Sequence, residues 1–147
     1  MTVKTAIIGC GIMGRRMLTQ MLIHPEYDPT FLWDPDQKAL ARAKDTAPEA
    51  EIAQTAAEAM VQTDLVYLAC PPAVRKAYAL EAASFGKAIF LEKPLGVDVA
   101  ESEVLVKELN GHAVPTAVNF TQAAGPALQG VSKSISNGEL GDLVGID

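Results

Sequence analysis

The chain has 147 residues, of which 49% are hydrophobic and 20% are charged. This length suits one domain with a real core and is too short for a cofactor domain plus a full substrate domain. The net charge of -6 and the scattered basic residues exclude a surface built for nucleic acid or anionic lipid. We therefore expect a globular protein whose partner is a small molecule.

The amino terminus and the cysteines indicate the cellular compartment of the protein. Thr2 and Val3 lead straight into an apolar strand with no cationic leader, and no stretch approaches about 18 uninterrupted apolar residues. The two cysteines cannot form a disulfide framework of the secreted kind. These features predict a cytoplasmic protein that does not enter a membrane.

Apolar strand-like runs alternate with helical segments along the chain. This alternation predicts an α/β fold with a doubly wound, mostly parallel sheet, and right-handed crossovers give the strand order 3-2-1-4-5-6. The predicted strands cover residues 3–8, 30–33, 51–53, 65–69, 88–91 and 114–118. The predicted helices cover residues 12–23, 36–44, 56–61, 73–84, 98–109 and 126–136, with Asp36 and Asp98 as caps and with Gly86 and Gly111 after helix ends.

A glycine motif, Gly9-x-Gly11-x-x-Gly14, follows the first strand and opens the first helix. Gly9 permits a tight turn, Gly11 leaves room for a pyrophosphate, and Gly14 lets helix and strand pack closely. The helix start at Ile12 and Met13 presents free N–H groups and a partial positive charge to the anion. The motif predicts a dinucleotide site.

Asp34 follows Gly14 by twenty residues, at the end of the second predicted strand. An acid at this position binds a ribose hydroxyl, and it disfavours a coenzyme A or mononucleotide ligand. Because Asp34 is followed by Pro35 and Asp36 rather than by a basic residue, we expect NAD to be preferred over NADP. Trp33 is expected to be a buried strand aromatic rather than a contact for adenine.

The fourth strand ends in Cys70-Pro71-Pro72, beside the point where the strand order reverses. Prolines here fix the turn next to the cofactor, although a plain strand-to-helix corner is an equal alternative. Cys70 and Cys10 end neighbouring strands and are therefore expected to lie close together.

The fifth strand leads into Glu92-Lys93-Pro94, so an acid and a base emerge at the ligand edge of the sheet. Asn119 lies at the end of the sixth strand, where its side chain suits a cap of residues 121–123. His24 and His112 have no partner at metal-ligand spacing, so no metal site is predicted.

Residues 137–142 indicate a helix stop and a turn, and residues 143–147 predict the start of another strand. A strand without a partner gains little stability, so we expect a chain cut at a domain boundary, with a frayed tail as the alternative. Residues 1–120 are then a dinucleotide-binding domain. Residues 121–147 are a linking helix and the truncated start of a second α+β domain, and the substrate domain is absent.

Several motifs together resemble the family of glucose–fructose oxidoreductase, inositol 2-dehydrogenase and the rhizopine-catabolism oxidoreductase (Gfo/Idh/MocA). The resemblance covers this whole chain but only the amino-terminal half of such enzymes. It implies that Lys93 reaches the nicotinamide ribose and the substrate and that Asn119 lies near the nicotinamide, while a second domain supplies an acid–base residue. The family often has histidine at the position of Arg75 and arginine at that of Ala123. The motifs are Gly9-x-Gly11-x-x-Gly14, Asp34, Thr63-Asp64-Leu65-Val66, Pro71-Pro72, Gly86-Lys87, Glu92-Lys93-Pro94-Leu95 and Gly138-Glu139-Leu140-Gly141.

The resemblance implies an NAD(P)-dependent oxidoreductase that transfers a hydride between nicotinamide and a sugar, a polyol or a related carbonyl compound. Lys93 is the expected catalytic residue, and the parent protein is expected to be a homo-oligomer. The alternative is a sensor that binds NAD(P) without chemistry. Lys93 favours the enzyme, because sensing alone does not require an acid–base side chain at that place.

Overall fold

The computed structural model describes residues 2–142 and 144–145. Strands and helices alternate over this part of the chain. The strands are β1 (Val3–Ile8), β2 (Tyr27–Trp33), β3 (Glu51–Ile52), β4 (Leu65–Leu68), β5 (Ala88–Glu92) and β6 (Thr116–Asn119). The helices are α1 (Ile12–Ile23), α2 (Gln37–Thr46), α3 (Ala56–Val61), α4 (Pro72–Ser84), α5 (Val99–Asn110) and α6 (Pro126–Ser136).

The strands form one parallel sheet in the order β3-β2-β1-β4-β5-β6, which confirms the predicted topology. β1 lies at the centre, with Ile8 opposite Trp33 of β2 and opposite Leu68 of β4. The order reverses between β1 and β4, and the carboxyl ends of all the strands meet at one edge. A crevice between the loops that follow β1 and β4 is the expected result.

Two apolar cores cover the two faces of the sheet, because successive residues of a strand point to opposite sides. Ile8 packs with Leu68 and Leu91 against α3, α4 and α5, whereas Ile7 packs with Tyr67 against α1 and α2. All five side chains are fully buried. Burial of each aliphatic one is worth about 1.5–3 kcal/mol, so the cores hold the strand ends firmly in place.

The structure differs most from the sequence prediction in β2, which begins at Tyr27 and not at residue 30. The pairing with β1 shifts between Thr5 and Ala6, so that Thr5 lies opposite Pro29 and Ala6 lies opposite Phe31. This irregularity accommodates a proline, which has no N–H group for a regular ladder. Pro29 therefore lies within the strand and does not precede it.

The predicted caps are confirmed. The Asp36 carboxylate accepts a hydrogen bond from the Lys38 N–H at 2.9 Å, and that of Asp98 accepts one from the Glu101 N–H at 2.8 Å. Gly111 caps the end of α5. Of the strand predicted at the end of the chain, residues 143, 146 and 147 lie outside the described residues. Among the described residues, none of the helices has the length and apolar character needed to cross a membrane.

Candidate functional site

The junction of β1 and α1 is so closely packed that two glycines, Gly9 in the loop and Gly14 in the first turn of α1, accept no side chain. Gly9 has a φ of +96°, and a Cβ built on it would lie 2.6 Å from the backbone nitrogen of Cys70. A Cβ on Gly14 would collide with the carbonyl oxygen of Gly9. The turn and the close helix packing predicted for these two positions are therefore present.

Gly11 differs from these two, because a Cβ built on it would meet nothing within 4 Å. Gly11 caps the start of α1, and none of the side chains that the structure describes caps that helix end with a hydrogen bond. Ile12 and Met13 are exposed there by 66% and 36%. Free N–H groups, the positive end of a 12-residue helix and open space together fit the pyrophosphate of a dinucleotide.

The Asp34 carboxylate is held against this loop by two backbone groups. One oxygen accepts a hydrogen bond from the Cys10 N–H at 2.6 Å, and the other accepts one from the Asp36 N–H at 2.8 Å. Each oxygen keeps a further lone pair, since a carboxylate oxygen has two. The half-buried carboxylate is thus fixed beside the glycine loop with acceptor capacity left for a sugar hydroxyl.

A cleft of about 560 Å³ runs along the carboxyl edge of the sheet, at the crevice that the strand order predicts. Loops after β1, β2, β4 and β5 line it, so residues far apart in sequence share one cavity. Eight of the predicted site residues line this cleft: Gly9, Gly11, Met13, Asp34, Cys70, Pro71, Glu92 and Lys93.

Four predicted site residues do not line the cleft. Ile12 projects into solvent, and Gly14 is buried where α1 meets the Gly9 carbonyl. Pro72 is the first residue of α4. Asn119 lines a neighbouring cavity of about 420 Å³, which it shares with Glu92 and Met13. Of the four, Asn119 is linked to the cleft through its contact with Glu92.

Glu92 and Lys93 are adjacent but have opposite environments. Lys93 is exposed, whereas Glu92 is 3% exposed at the end of β5. The Glu92 carboxylate accepts hydrogen bonds from the Tyr67 hydroxyl and, at 2.6 Å, from the Asn119 amide. Burial and the bond to Glu92 raise the pKa of Tyr67, which keeps the hydroxyl as the donor. Both charged residues line the cleft at the carboxyl edge of the sheet, as the sequence analysis expected, but only Lys93 is exposed there.

Two side chains contact Asn119, one on β5 and one in the turn after β6. Its amide nitrogen donates to Glu92, while its carbonyl oxygen accepts a hydrogen bond from the Thr121 hydroxyl at 3.0 Å. The side chain therefore ties the end of β6 to β5 and to the turn that follows.

The aromatic side of the cleft was not predicted. Trp33, expected in the core, is half-buried and lines the cleft together with Tyr78 of α4. The two rings meet edge to face, with centroids 5.5 Å apart. Val74 and Tyr78 both line the cleft and are four residues apart, so helical spacing after Pro72 could have revealed this face of α4.

Arg75, noted in the sequence only as a departure from the family, is 2% exposed and also lines the cleft. Its guanidinium donates to the carbonyl oxygens of Cys70 at 2.6 Å, Glu92 at 2.5 Å and Pro94. Nothing in the sequence marks this arginine as buried, because its partners come from two separate loops.

The two cysteines lie two residues beyond the ends of the adjacent strands β1 and β4, but they belong to the cores on opposite faces of the sheet. Cys10 belongs to the core under α1 and α2, and Cys70 belongs to the core under α3, α4 and α5. Burial, together with the Asp34 charge, raises the pKa of the Cys10 thiol to about 12. Burial also raises the pKa of Cys70. Both thiols are therefore protonated at neutral pH, and neither is suited to act as a nucleophile.

Similarity to a known protein family covers most of this chain. Residues 3–120 match the model of the Gfo/Idh/MocA family, described as an oxidoreductase family with an NAD-binding Rossmann fold. Oxidoreductase P35 of Formosa agariphila is 31% identical over 93 residues, which are 61% of this chain and 29% of that protein. An uncharacterized oxidoreductase of Streptococcus pneumoniae is 23% identical over 97% of this chain and 38% of its own length. The chain thus spans well under half the length of these relatives, and neither name favours a sensor.

Solved structures share the fold. Scyllo-inositol dehydrogenase from Lactobacillus casei, determined with NAD(H) and scyllo-inositol, has a TM-score of 0.86 and 22% identity over 97% of this chain and 43% of that one. The WlbA dehydrogenase from Bordetella pertussis, in complex with NADH and UDP-GlcNAcA, has a TM-score of 0.86 and 22% identity over 96% of this chain and 44% of that one. Myo-inositol 2-dehydrogenase from Lactobacillus plantarum has a TM-score of 0.88 and 20% identity over 98% of this chain and 44% of that one.

Proposed function

The chain belongs to the Gfo/Idh/MocA oxidoreductase family with its NAD-binding Rossmann fold, and on that basis we propose that it is the cofactor-binding part of an NAD-dependent dehydrogenase acting on CH–OH groups. One observation carries the proposal: the open helix start at Gly11, the fixed Asp34 carboxylate and the exposed Lys93 line a single cleft. That cleft offers contacts for phosphate, for ribose and for a reacting oxygen in turn.

Each part of the cleft would hold a different part of the dinucleotide. The N–H groups at the start of α1 bind the pyrophosphate, and Asp34 accepts hydrogen bonds from ribose hydroxyls. Trp33 and Tyr78 provide an apolar wall beside Asp34. Bound NAD supplies a carbon that accepts or donates a hydride.

Lys93 is the residue of this chain that we assign to the reacting oxygen. Its exposed ammonium donates a hydrogen bond to a substrate hydroxyl or carbonyl and helps to move the proton. Hydrogen bonds from Tyr67 and Asn119 hold the Glu92 side chain at the end of β5. The backbone that carries Lys93 therefore continues from a fixed strand end.

We further propose a sugar, polyol or related carbonyl compound as substrate. Support comes from the Lactobacillus casei and Bordetella pertussis structures, which were determined with scyllo-inositol and with UDP-GlcNAcA.

Residues 1–120 form the dinucleotide-binding domain in this proposal, and residues 121–147 link it to a second domain that contributes an acid–base residue. The exposed Leu128 and Val131 of α6 suit such a contact. A cytoplasmic homo-oligomer remains the expected form of the parent protein.

We expect the chain to bind NAD more tightly than NADP, as measured by calorimetric titration. Asp34 and Asp36 both line the cleft, and a 2′-phosphate about 4 Å from one carboxylate is opposed by roughly 4 kcal/mol at an effective dielectric near 20. A charged hydrogen bond from Lys38 or Arg42 to the 2′-phosphate is worth only about 1.5–3 kcal/mol. The repulsion by the carboxylate is therefore larger than this attraction. We therefore expect a clear preference for NAD over NADP.

Asp34→Asn tests the cause, since it removes the charge and keeps one acceptor oxygen. This variant should bind NAD more weakly and narrow the difference between the two cofactors. Asp45→Asn, an exposed change on α2, is the matched control and should leave the difference unchanged. Equal affinity of the unmodified chain for NAD and NADP would contradict the assignment.

A further inference from the structure

Arg75 is a buried cation that the proposed chemistry does not use directly. Its side chain is 2% exposed, and the two ion pairs found among the described residues, Arg42–Asp36 and Lys76–Glu108, do not include it. Its Nε has no hydrogen-bond partner there. Burying a charge costs free energy unless hydrogen bonds compensate for the lost water, so the position of those bonds should indicate the purpose of the residue.

The compensating bonds all reach backbone carbonyls, two of them from residues that line the cleft. One guanidinium nitrogen donates to Glu92 at 2.5 Å and also to Pro94, and the other donates to Cys70 at 2.6 Å. Glu92 and Pro94 are the residues on either side of Lys93, and Cys70 lies in the loop across the cleft. The planar, multiply donating head of arginine suits such a three-point contact, which the single ammonium of lysine does not reproduce.

The contacts fix the backbone of Lys93 but leave its side chain free. The side chain of Glu92 is held separately by Tyr67 and Asn119, so Arg75 adds a constraint on the main chain that those residues do not supply. Lys93 itself is exposed. A long flexible side chain reaches one point reproducibly only if its Cα is held in place, because small displacements at a site greatly reduce its effectiveness.

We infer that Arg75 is a positioning residue: it joins the Cys70 loop to the Glu92–Pro94 segment so that the Lys93 ammonium is presented to the bound cofactor. This inference rests on the proposed function, in which Lys93 contacts the dinucleotide. Its consequence is energetic coupling between Arg75 and Lys93. A residue that stabilises only the fold would not show that coupling.

A double-mutant cycle on NADH affinity measures this coupling in the 147-residue chain. Lys93→Met should weaken NADH binding about tenfold, and Arg75→Met should weaken it by a similar factor, since each removes the same lysine contact. In the Lys93→Met background, Arg75→Met should then weaken NADH binding by less than about twofold. Lys76→Met, which removes a neighbouring half-buried cation of α4 that pairs with Glu108, should bind NADH as the unmodified chain does.

Arg75→Met leaves three carbonyls without a donor, so its fold is checked by circular dichroism. If that variant is unfolded, the same cycle is run with Arg75→Lys, which keeps the charge and fewer hydrogen bonds. Equal losses from the Arg75 change in both backgrounds would overturn the inference while leaving the proposed function intact. If Lys93→Met binds NADH normally, Lys93 does not contact the cofactor and the inference fails with it. If the folded, unmodified chain does not bind NADH, the proposed function itself fails.

Discussion

Replacing Gly11 with valine should remove NAD binding and leave the fold intact. A side chain at this position would extend into open space at the start of α1, where the pyrophosphate is expected. Two lost hydrogen bonds from N–H groups to a charged phosphate, at about 1.5–3 kcal/mol each, correspond to a weakening of about a hundredfold or more. The measurement is calorimetric titration with NAD, together with thermal unfolding followed by circular dichroism.

Two other glycines provide the comparison. Gly130 lies on the exposed face of α6, and a Cβ there also meets nothing within 4 Å, so Gly130→Val should retain full affinity. Gly14→Val should instead unfold the chain, because its side chain would collide with the Gly9 backbone. Undiminished NAD affinity in folded Gly11→Val would show that the helix start does not hold the phosphates.

Lys93→Met should reduce turnover of the full protein roughly 10²–10⁴-fold, the usual contribution of a positioned proton-transfer group. Its effect on NAD affinity should be much smaller, about tenfold, because the glycine loop and Asp34 also hold the dinucleotide. A loss confined to the chemical step appears in kcat rather than in KM. The measurement is the rate of NADH formation, with scyllo-inositol as the first substrate.

Lys107→Met, an exposed change on α5, is the matched control and should turn over normally. Complete loss of NAD binding in Lys93→Met would identify Lys93 as a structural residue. Normal turnover in that variant would transfer the acid–base role to a residue outside this chain.

The features that the sequence predicted correctly depend on neighbours along the chain. The turn at Gly9, the start of α1 at Ile12 and the capping by Asp36 each involve residues only a few positions apart. The strand order also followed, because the handedness of each crossover is nearly invariant. The sequence therefore predicted the edge of the sheet at which the cleft lies.

The features that were missed depend on contacts between distant segments. Arg75 is buried because carbonyls of two other loops surround it, and Glu92 is buried because Tyr67 and Asn119 lie on the strands next to it. Side-chain direction also matters, since Cys10 and Cys70 follow adjacent strands and still belong to the cores on opposite faces of the sheet. Neither effect leaves a signal in local sequence.

Trp33 offers the most direct test of the claim that this cleft binds a dinucleotide. It is the one tryptophan among the 147 residues and lines the cleft beside Asp34. Because NADH absorbs in the region where tryptophan emits, NADH bound in the cleft should quench Trp33 emission and gain emission of its own. We expect saturable quenching that NAD reverses by competition and that Gly11→Val abolishes. Emission of the folded chain that does not respond to NADH would contradict the account.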